Sequence, residues 1–556
     1  MPSEEEAREG CRPCKTLKDV LLGVQGSRRA YRECVLSMRK NVYLEGDCMS
    51  EEATAESTAV QVHKPLSKSL KIFYGVGDFG FNLMSSVETY YFVFFLTNFA
   101  MFDPATAALV SGIGSTVDAI LGWMYGGFIN SLKPMRWGRY RSWLLVLPWL
   151  VPILFCLEFT RFVENTALAA ALIVFFNVTS HMAWDFPYVS NVSLIAIAGS
   201  NAQDRAHLAS TRGMWSNASK IVFAYLIPPI ASVGAMWFGK TNQYAFCAFV
   251  MGVIMAVLYY VHFRMFKGYE KEYTKEELAN YKRDKNDAGR TTFKDLGRAL
   301  VSNPPLIFLL LADIAKWVFN FMCAGIAAYY FTYAVFQPGM VATYIFISNI
   351  LCVIGAYLSA PFARALKSTR NAMVFAFIFM AVVIFIARAN YFNMWWVIIF
   401  MSLGQFGYGI TYACSTAMYS DCVVYNEWKN KTNAAGWISG LQLFPLKIGF
   451  VARGIIIPLL LGAVGFVSAS EFAPFVVGGA RHEEMLGYIA QGQGIDELTN
   501  RYIEFMSGIG TGFMVVPAVL LIIGAVLLLI GYHLTPAKLA EYQKEIDARK
   551  AAALQA

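Results

Sequence analysis

Gly112-Ile-Gly-Ser-Thr-Val-Asp-Ala-Ile-Leu-Gly-Trp-Met-Tyr-Gly-Gly-Phe-Ile-Asn130 is an apolar run that carries one acid, Asp118. It ends in a turn rich in positive charge, Ser131-Leu-Lys-Pro-Met-Arg-Trp-Gly-Arg-Tyr-Arg141, and a second apolar run, Ser142 to Phe159, follows at once. The stretch reads as two membrane spans joined by a short basic turn. Lys and Arg in short loops set orientation, which places this turn on the cytoplasmic side. A carboxylate in mid-span costs about 2.5–3.5 kcal/mol even on the lenient insertion scale, so Asp118 should face the bundle interior and mark a polar pathway. The bland alternative is a buried hairpin of a soluble protein with Asp118 as a satisfied core group.

Composition argues against that alternative. Of the 556 residues, 57% are hydrophobic and only 15% charged, against about 25% charged in soluble domains. The net charge of +8 is not a nucleic-acid signal, because the basic residues fall in short turns between apolar runs. Ten cysteines are present. Cys156, Cys247, Cys323, Cys352 and Cys414 lie inside apolar runs and read as small packing residues. Cys11 and Cys14 form a C-x-x-C, joined by Cys34 and Cys48, in a spacing that fits no common zinc pattern.

A bilayer core of about 30 Å needs about 20 residues per helix. On that measure spans are expected near Lys71–Asn98, Pro104–Asn130, Ser142–Thr160, Thr166–Ile197, Trp215–Phe238, Tyr244–Phe266, Pro305–Phe336, Val341–Leu366, Asn371–Ala387, Met394–Cys422, Ala434–Val467 and Ile503–Leu534. Basic residues collect in the even-numbered turns: Lys133 to Arg141, Arg205 to Arg212, Arg264 to Arg298, Arg364 to Arg370, and Lys429 to Lys431. Both termini are therefore expected in the cytoplasm, with the chain multi-pass in the cell membrane. The expected division is a polar, disordered cytoplasmic extension over 1–66, six-helix halves over 67–266 and 304–535, a linker over 267–303 and a cytoplasmic tail over 536–556. Met1-Pro-Ser-Glu-Glu-Glu is acidic and no apolar h-region follows, so no signal peptide is expected, and Met49 offers a second plausible start. The long exterior loop from Ser468 to Arg501 reads as a variable loop rather than a cap. Two six-helix halves with a cytoplasmic linker are the layout of a transporter whose site lies between the halves.

Several stretches resemble the glycoside-pentoside-hexuronide:cation symporters, the melibiose-carrier group of the major facilitator superfamily. They are Tyr74-Gly-Val-Gly-Asp-Phe-Gly-Phe-Asn-Leu83 with Tyr91-Phe-Val-Phe-Phe-Leu-Thr-Asn98; Asp118-Ala-Ile with Trp137-Gly-Arg-Tyr-Arg-Ser-Trp143; Asp185-Phe-Pro-Tyr188 with Asp204-Arg-Ala-His-Leu-Ala-Ser-Thr-Arg212; and Ser420-Asp-Cys-Val-Val-Tyr-Asn-Glu-Trp-Lys429 before Lys447. The resemblance covers about Lys71 to Leu534. It implies an all-α membrane protein with the major facilitator fold, twelve helices in two halves, and solute symport driven by a cation. It also implies departures. The family's cation site uses two acids one turn apart on the second span; Asp118 matches the first, but the second is Gly122, a neighbouring amide is Leu121, and a fourth-span threonine is Met182. Sodium needs several hard oxygens, whereas a proton needs one tunable carboxylate, so a proton is favoured as coupling ion. On the solute side Asp185 and Arg212 are kept, an acid on the first span is Asn82, and a stacking tryptophan is Val189.

The intramembrane acids are then Asp78, Glu88, Asp118, Asp185 and Asp313, and the bases Lys220, Lys316, Lys447 and Arg453. Asp313 and Lys316 lie three apart and should neutralise each other. Lys447 has no acid within a turn on its own helix, and the resemblance makes Asp118 its expected partner; a proton or substrate could open that pair. Asp78 is expected to support packing at the glycine-rich start of the first helix. Asp185, Arg212, Asn82, Tyr188 and Lys447 are the candidate solute contacts, and Asp118, Lys447 and Glu88 the candidate coupling residues. Tyr90, Tyr91, Trp184, Tyr188, Tyr329, Tyr330 and Trp437 could line the cavity or the core. The expectation is a cation-coupled carrier of a small polar solute such as a sugar, glycoside or hexuronide. A carrier of a non-sugar organic anion or aromatic metabolite, or a facilitator, is the alternative; a polytopic receptor or membrane enzyme is disfavoured, since no Walker loop, H-E-x-x-H or nucleophile elbow is present. No cofactor other than a coupling proton or sodium, no resident metal and no nucleic-acid partner are expected; the partners are the solute and the bilayer, and the chain is expected to be a monomer.

Overall fold

The computed structural model describes residues 65–198, 202–279, 300–431, 438 and 441–555. The cysteines at 11, 14, 34 and 48, most of the expected extension and linker, and Trp437 lie outside these residues. The helices of the described residues include α1 (Val76–Asn98), α2 (Pro104–Ser131), α3 (Val151–Glu158), α4 (Thr166–Ala198), α5 (Ala202–Phe238), α6 (Gln243–Met265), α7 (Pro304–Tyr329), α8 (Met340–Ala365), α9 (Thr369–Ala389), α10 (Met394–Asn430), α11 (Leu443–Ala463) and α12 (Glu497–Gly531). Among the described residues no strand forms beyond an isolated bridge between Met135 and Gly138.

Among the described residues, ten helices are long and apolar enough to cross a membrane. They do not include α1 and α3, for reasons visible in their residues. The 23-residue α1 carries Asp78 and Glu88 in its length. The expected third span is split into a single turn, Trp143–Val146, and the short α3. Pro148 lies at the break; it has no N–H to continue the ladder and clashes with the preceding turn.

Helix starts are capped by side chains that the sequence supplies. Asp103 accepts from the backbone N–H groups of Ala105 and Thr106, with Pro104 at the first helical position of α2, where its missing donor costs nothing. Asn303 caps α7 and Asn393 caps α10 in the same way. Asp496 and Thr499 form a reciprocal capping box on α12. The segment before it holds two short helices, Ala469–Phe472 and His482–Gln491, tied by the Arg501–Glu471 and Arg481–Asp496 ion pairs.

The basic turn after α2 is clamped by the segment that follows α6. Glu270 accepts from the backbone N–H groups of Arg139 at 2.7 Å, Tyr140 at 3.0 Å and Arg141 at 2.8 Å. Burial pushes the Glu270 carboxyl up, against the pull of those three donors. Gly138 permits the clamp: its φ of +113° is open to glycine, and a Cβ there would lie 2.4 Å from the Glu270 carboxyl carbon. Arg141 completes the joint by pairing with Glu272 at 2.6 Å.

In lipid the hydrophobic effect between helices is weak, so association relies on close packing of small residues. The α8–α10 pair shows this reciprocally. A Cβ on Gly355 would sit 2.0 Å from the carbonyl oxygen of Phe406, and one on Gly409 would sit 2.0 Å from that of Cys352. Gly409→Val should therefore force the helices apart and cost about 1–3 kcal/mol, read as a lowered unfolding temperature in detergent; an unchanged midpoint would show that the pair has slack.

Helices α1, α2 and α5 meet α7, α8 and α11 across the middle of the molecule. Thr97 and Tyr329 hydroxyls lie 2.5 Å apart, and Tyr333 donates to Asn98. Tyr225 of α5 packs on Phe346 of α8 at 4.8 Å between ring centroids. Gly462 of α11 faces Pro104 at the start of α2. These contacts gather toward the end of the bundle where α1 finishes and α2 begins.

Candidate functional site

α11 brings the charge pair that organises the centre. Lys447 Nζ donates to Asp118 Oδ2 of α2 at 2.7 Å and lies 3.4 Å from Asp185 Oδ2 of α4. Both carboxylates are almost completely buried, while the lysine side chain is 22% exposed, so a solute or water can reach the cation but hardly the acids. The lysine stem runs over Gly122, where a Cβ would lie 3.2 Å from its Cε. The position at which the resemblance implies a second acid is thus occupied from outside by an ammonium group. Met182, the position of the implied threonine, is 40% exposed. Its neighbour His181, four residues before Asp185, faces Asp118 instead, with Nδ1 3.3 Å from Oδ1.

His181 continues the site toward α1. Its Nε2 is 3.1 Å from Glu88 Oε2, and its ring packs on Trp184 at 4.2 Å. Arg453, fully buried on α11, donates from Nη1 to the backbone carbonyls of Glu88 at 3.1 Å and Thr89 at 2.9 Å, with Nη2 3.7 Å from the Glu88 carboxylate. Glu158, the last residue of α3, completes the cluster: Asn177 Nδ2 donates to one of its oxygens at 2.9 Å and Ser180 Oγ lies 2.5 Å from the other. One ligand atom each from Glu88, Glu158 and His181 lies within 4.8 Å of the others, but Asn177 and Ser180 already engage both Glu158 oxygens and Arg453 stands beside Glu88, which disfavours a metal ion there.

Arg212 stands elsewhere. A candidate solute contact by sequence, it binds Asp78 through two guanidinium nitrogens, with Nε 2.8 Å from Oδ2. Asn191 donates to the same carboxylate at 2.7 Å. The reason is geometric: Asp78 sits at the start of α1, against the first turns of α5, and takes the guanidinium before it can reach α4's Asp185. Asp78 is therefore an ion-pair partner as well as a packing residue. The two clusters are linked by Tyr188, one turn after Asp185, which lies under the Arg212 guanidinium and stacks on Phe81 at 4.4 Å. Asn82 donates to the Asp78 carbonyl at 2.8 Å and to Ser216 of α5 at 3.1 Å.

The remaining charges and rings fall into place more simply. Lys316 pairs with Asp313 at 2.8 Å and donates to Ser415. Tyr91, Trp184, Tyr329 and Tyr330 are buried core rings rather than exposed cavity walls, while Tyr90 and Tyr188 are only partly covered. Lys220 is partly covered, and no ion pair to it exists among the described residues.

Residues 73–536 match the family described as MFS/sugar transport protein. The chain belongs to this family. It is a multi-pass membrane transporter of solutes, not an enzyme. The isoprimeverose transporter of Lactiplantibacillus pentosus is 23% identical over 75% of this MFS/sugar transport protein and 85% of the relative. The glucuronide carrier protein homolog of Escherichia coli strain K12 is 20% identical over 76% and 89%. A solved bacterial homolog of the human lysosomal transporter Spinster, in an inward-facing conformation, shares the fold with a TM-score of 0.54 at 12% identity, over 83% of this chain and 96% of that one. These agree with the resemblance to glycoside-pentoside-hexuronide:cation symporters.

Sequence reasoning missed Glu158 and His181. Glu158 falls two residues inside the end expected for the third span and went unweighed as an intramembrane acid. His181 carried a usable signal: it precedes Asp185 by four residues, so the two share one face of α4. Because Arg212 is committed to Asp78, the two should be energetically coupled. Arg212→Gln alone should lower detergent stability more than it does in an Asp78→Asn background, with a coupling of about 1–3 kcal/mol in a double-mutant cycle. Additive effects would mean that the pair does not persist in solution.

Proposed function

We propose that this transporter is a proton-coupled symporter of a small polar solute of the sugar, glycoside or hexuronide class, working by alternating access between two six-helix halves. The observation that carries this reading is Lys447, which reaches from α11 to Asp118 and Asp185 on α2 and α4. A pair across the two groups of helices is a natural switch, because a proton on Asp118 removes its hold on Lys447 and so alters which arrangement is favoured. Sodium is disfavoured because the coordinating oxygens implied by the family are absent at Gly122 and Met182 and an ammonium group already occupies the carboxylate. Asp185, Lys447, Tyr188 and Asn82 remain the solute contacts in this reading, with Arg212 acting through Asp78. The contacts gathered at the Asn98–Pro104 end suit a state open to the cytoplasm, with both termini on that side of the cell membrane and the single chain as the working unit.

Lys220, partly covered on α5 and with no ion pair among the described residues, favours a solute that carries a carboxylate. That supports a hexuronide over a neutral glycoside, and keeps a non-sugar organic anion as the second reading. Proteoliposome uptake of a labelled hexuronide and a labelled neutral disaccharide tests both. An inward proton gradient should drive accumulation, and sodium at fixed pH should change it little. Strong stimulation by sodium at fixed pH would falsify proton coupling.

A further inference from the structure

We infer that Glu88, Glu158 and His181 form a second proton-holding site beside the Asp118–Lys447 pair, with Glu158 a neutral carboxylic acid and His181 an imidazolium.

The first support is a hydrogen count at Glu158. The Ser180 hydroxyl lies 2.5 Å from Glu158 Oε2 and also 2.9 Å from the Asn177 carbonyl, yet a hydroxyl has one hydrogen to give. With an ionised Glu158, that single hydrogen has to be split between two acceptors. With a protonated Glu158, the acid donates to Ser180, Ser180 donates to the Asn177 carbonyl, and Asn177 Nδ2 still donates to the other carboxyl oxygen. Every contact then has its proton. The place is built for this: Gly114 of α2 makes room for Asn177, whose Oδ1 would lie 1.9 Å from a Cβ at that position.

The second support is His181. Both of its ring nitrogens face carboxylate oxygens, Nε2 at Glu88 and Nδ1 at Asp118. Nδ1 and Asp118 Oδ1 are buried, off the line of a hydrogen bond, and have no other partner. A bare lone pair on either nitrogen would be pointed at negative charge; a neutral ring has only one N–H, whereas the imidazolium has two.

The third support is charge. The carboxyl groups facing this region are Glu88 from α1, Asp118 from α2, Glu158 from α3 and Asp185 from α4; the permanent cations are Lys447 and Arg453, both from α11. α5 and α6 add no ion pair or hydrogen bond to Glu88, Glu158 or His181 among the described residues. Ions taken from water into such an interior must be compensated, and a charged His181 still leaves one carboxyl in excess. A proton on Glu158 removes it.

The site also has a route outward. His181 can hand its Nδ1 proton to Asp118 when Lys447 withdraws, leaving a neutral ring that keeps Nε2–H toward Glu88, and Nδ1 takes a proton back when Asp118 returns one, so that only N–H and O–H bonds change. This use rests on the proton-coupled reading above; the protonation of the site does not.

Infrared difference spectroscopy of the purified full chain in detergent, without solute or gradient, tests it. At neutral pH the wild type should show the carbonyl stretch of a protonated carboxylic acid that Glu158→Gln removes. Ser180→Ala should shift that band to higher frequency by deleting its hydrogen-bond acceptor, and this variant decides the matter if Glu158→Gln does not fold. Nitrogen-15 spectra should show a doubly protonated histidine ring that His181→Gln removes. A wild type with no band, or a band indifferent to Glu158→Gln and Ser180→Ala, overturns the proposal. So does stoichiometric binding of zinc or manganese that depends on Glu158, which would make the cluster a metal site. A sodium-driven or uncoupled transporter would leave these spectra unchanged, so the two readings fail separately.

Discussion

Asp118→Asn should abolish uphill accumulation of solute while leaving exchange across the membrane. The amide keeps the size and much of the hydrogen bonding of the carboxyl group but can neither pair electrostatically with Lys447 nor take up a proton. If the Asp118–Lys447 pair is the switch, the variant cycles only with solute bound on both sides. Counterflow of labelled hexuronide should persist in proteoliposomes, and concentration driven by a proton gradient should fall to the equilibrium level. Retained accumulation would move coupling away from Asp118, toward the Glu88–Glu158–His181 cluster. Lys447 should respond differently: its neutral replacement leaves Asp118 and Asp185 facing each other without the cation that now lies between them, a like-charge arrangement that favours a proton on one of them.

Arg453→Met should produce the largest loss of stability. Arg453 is the largest of the fully buried side chains; its guanidinium holds two backbone carbonyls of α1 and faces the Glu88 carboxylate. Removing one member of a buried pair strands the other, at a cost of about 3–5 kcal/mol. Methionine fills much of the volume but supplies none of the donors, so the loss is electrostatic more than steric. Thermal unfolding in detergent should show a large drop, and adding Glu88→Gln should recover part of it by removing the stranded charge. A double variant worse than the single would mean that Arg453 serves the carbonyls of Glu88 and Thr89 rather than the carboxylate. Such a link between α11 and α1 also ties the two groups of helices at the depth of the proposed proton site, so surviving variants should show altered transport rates.

The sequence by itself determined the class of the protein. Apolar runs of bilayer length with basic turns between them leave little besides a helical membrane protein, because unsatisfied backbone groups in lipid are too costly for any open alternative. The ordered set of motifs from Tyr74 to Lys447 carried the family, and a lysine without an acid on its own helix pointed to a partner on another. Tertiary structure decided which charges meet. Arg212 could have faced Asp185 or Asp78 on sequence grounds; the approach of α1 to α5 gave it to Asp78. Pro148 turned an expected span into two short pieces and left Glu158 at the end of one of them. His181 and Glu88 lie 93 residues apart in the chain, and no periodicity relates positions on different helices. Pairing in a bundle depends on helix rotation and depth, which close-packed glycines such as Gly114 and Gly409 fix through contacts of a few ångströms; the hydrophobic pattern of each segment, nearly uniform around the helix in lipid, leaves both undetermined.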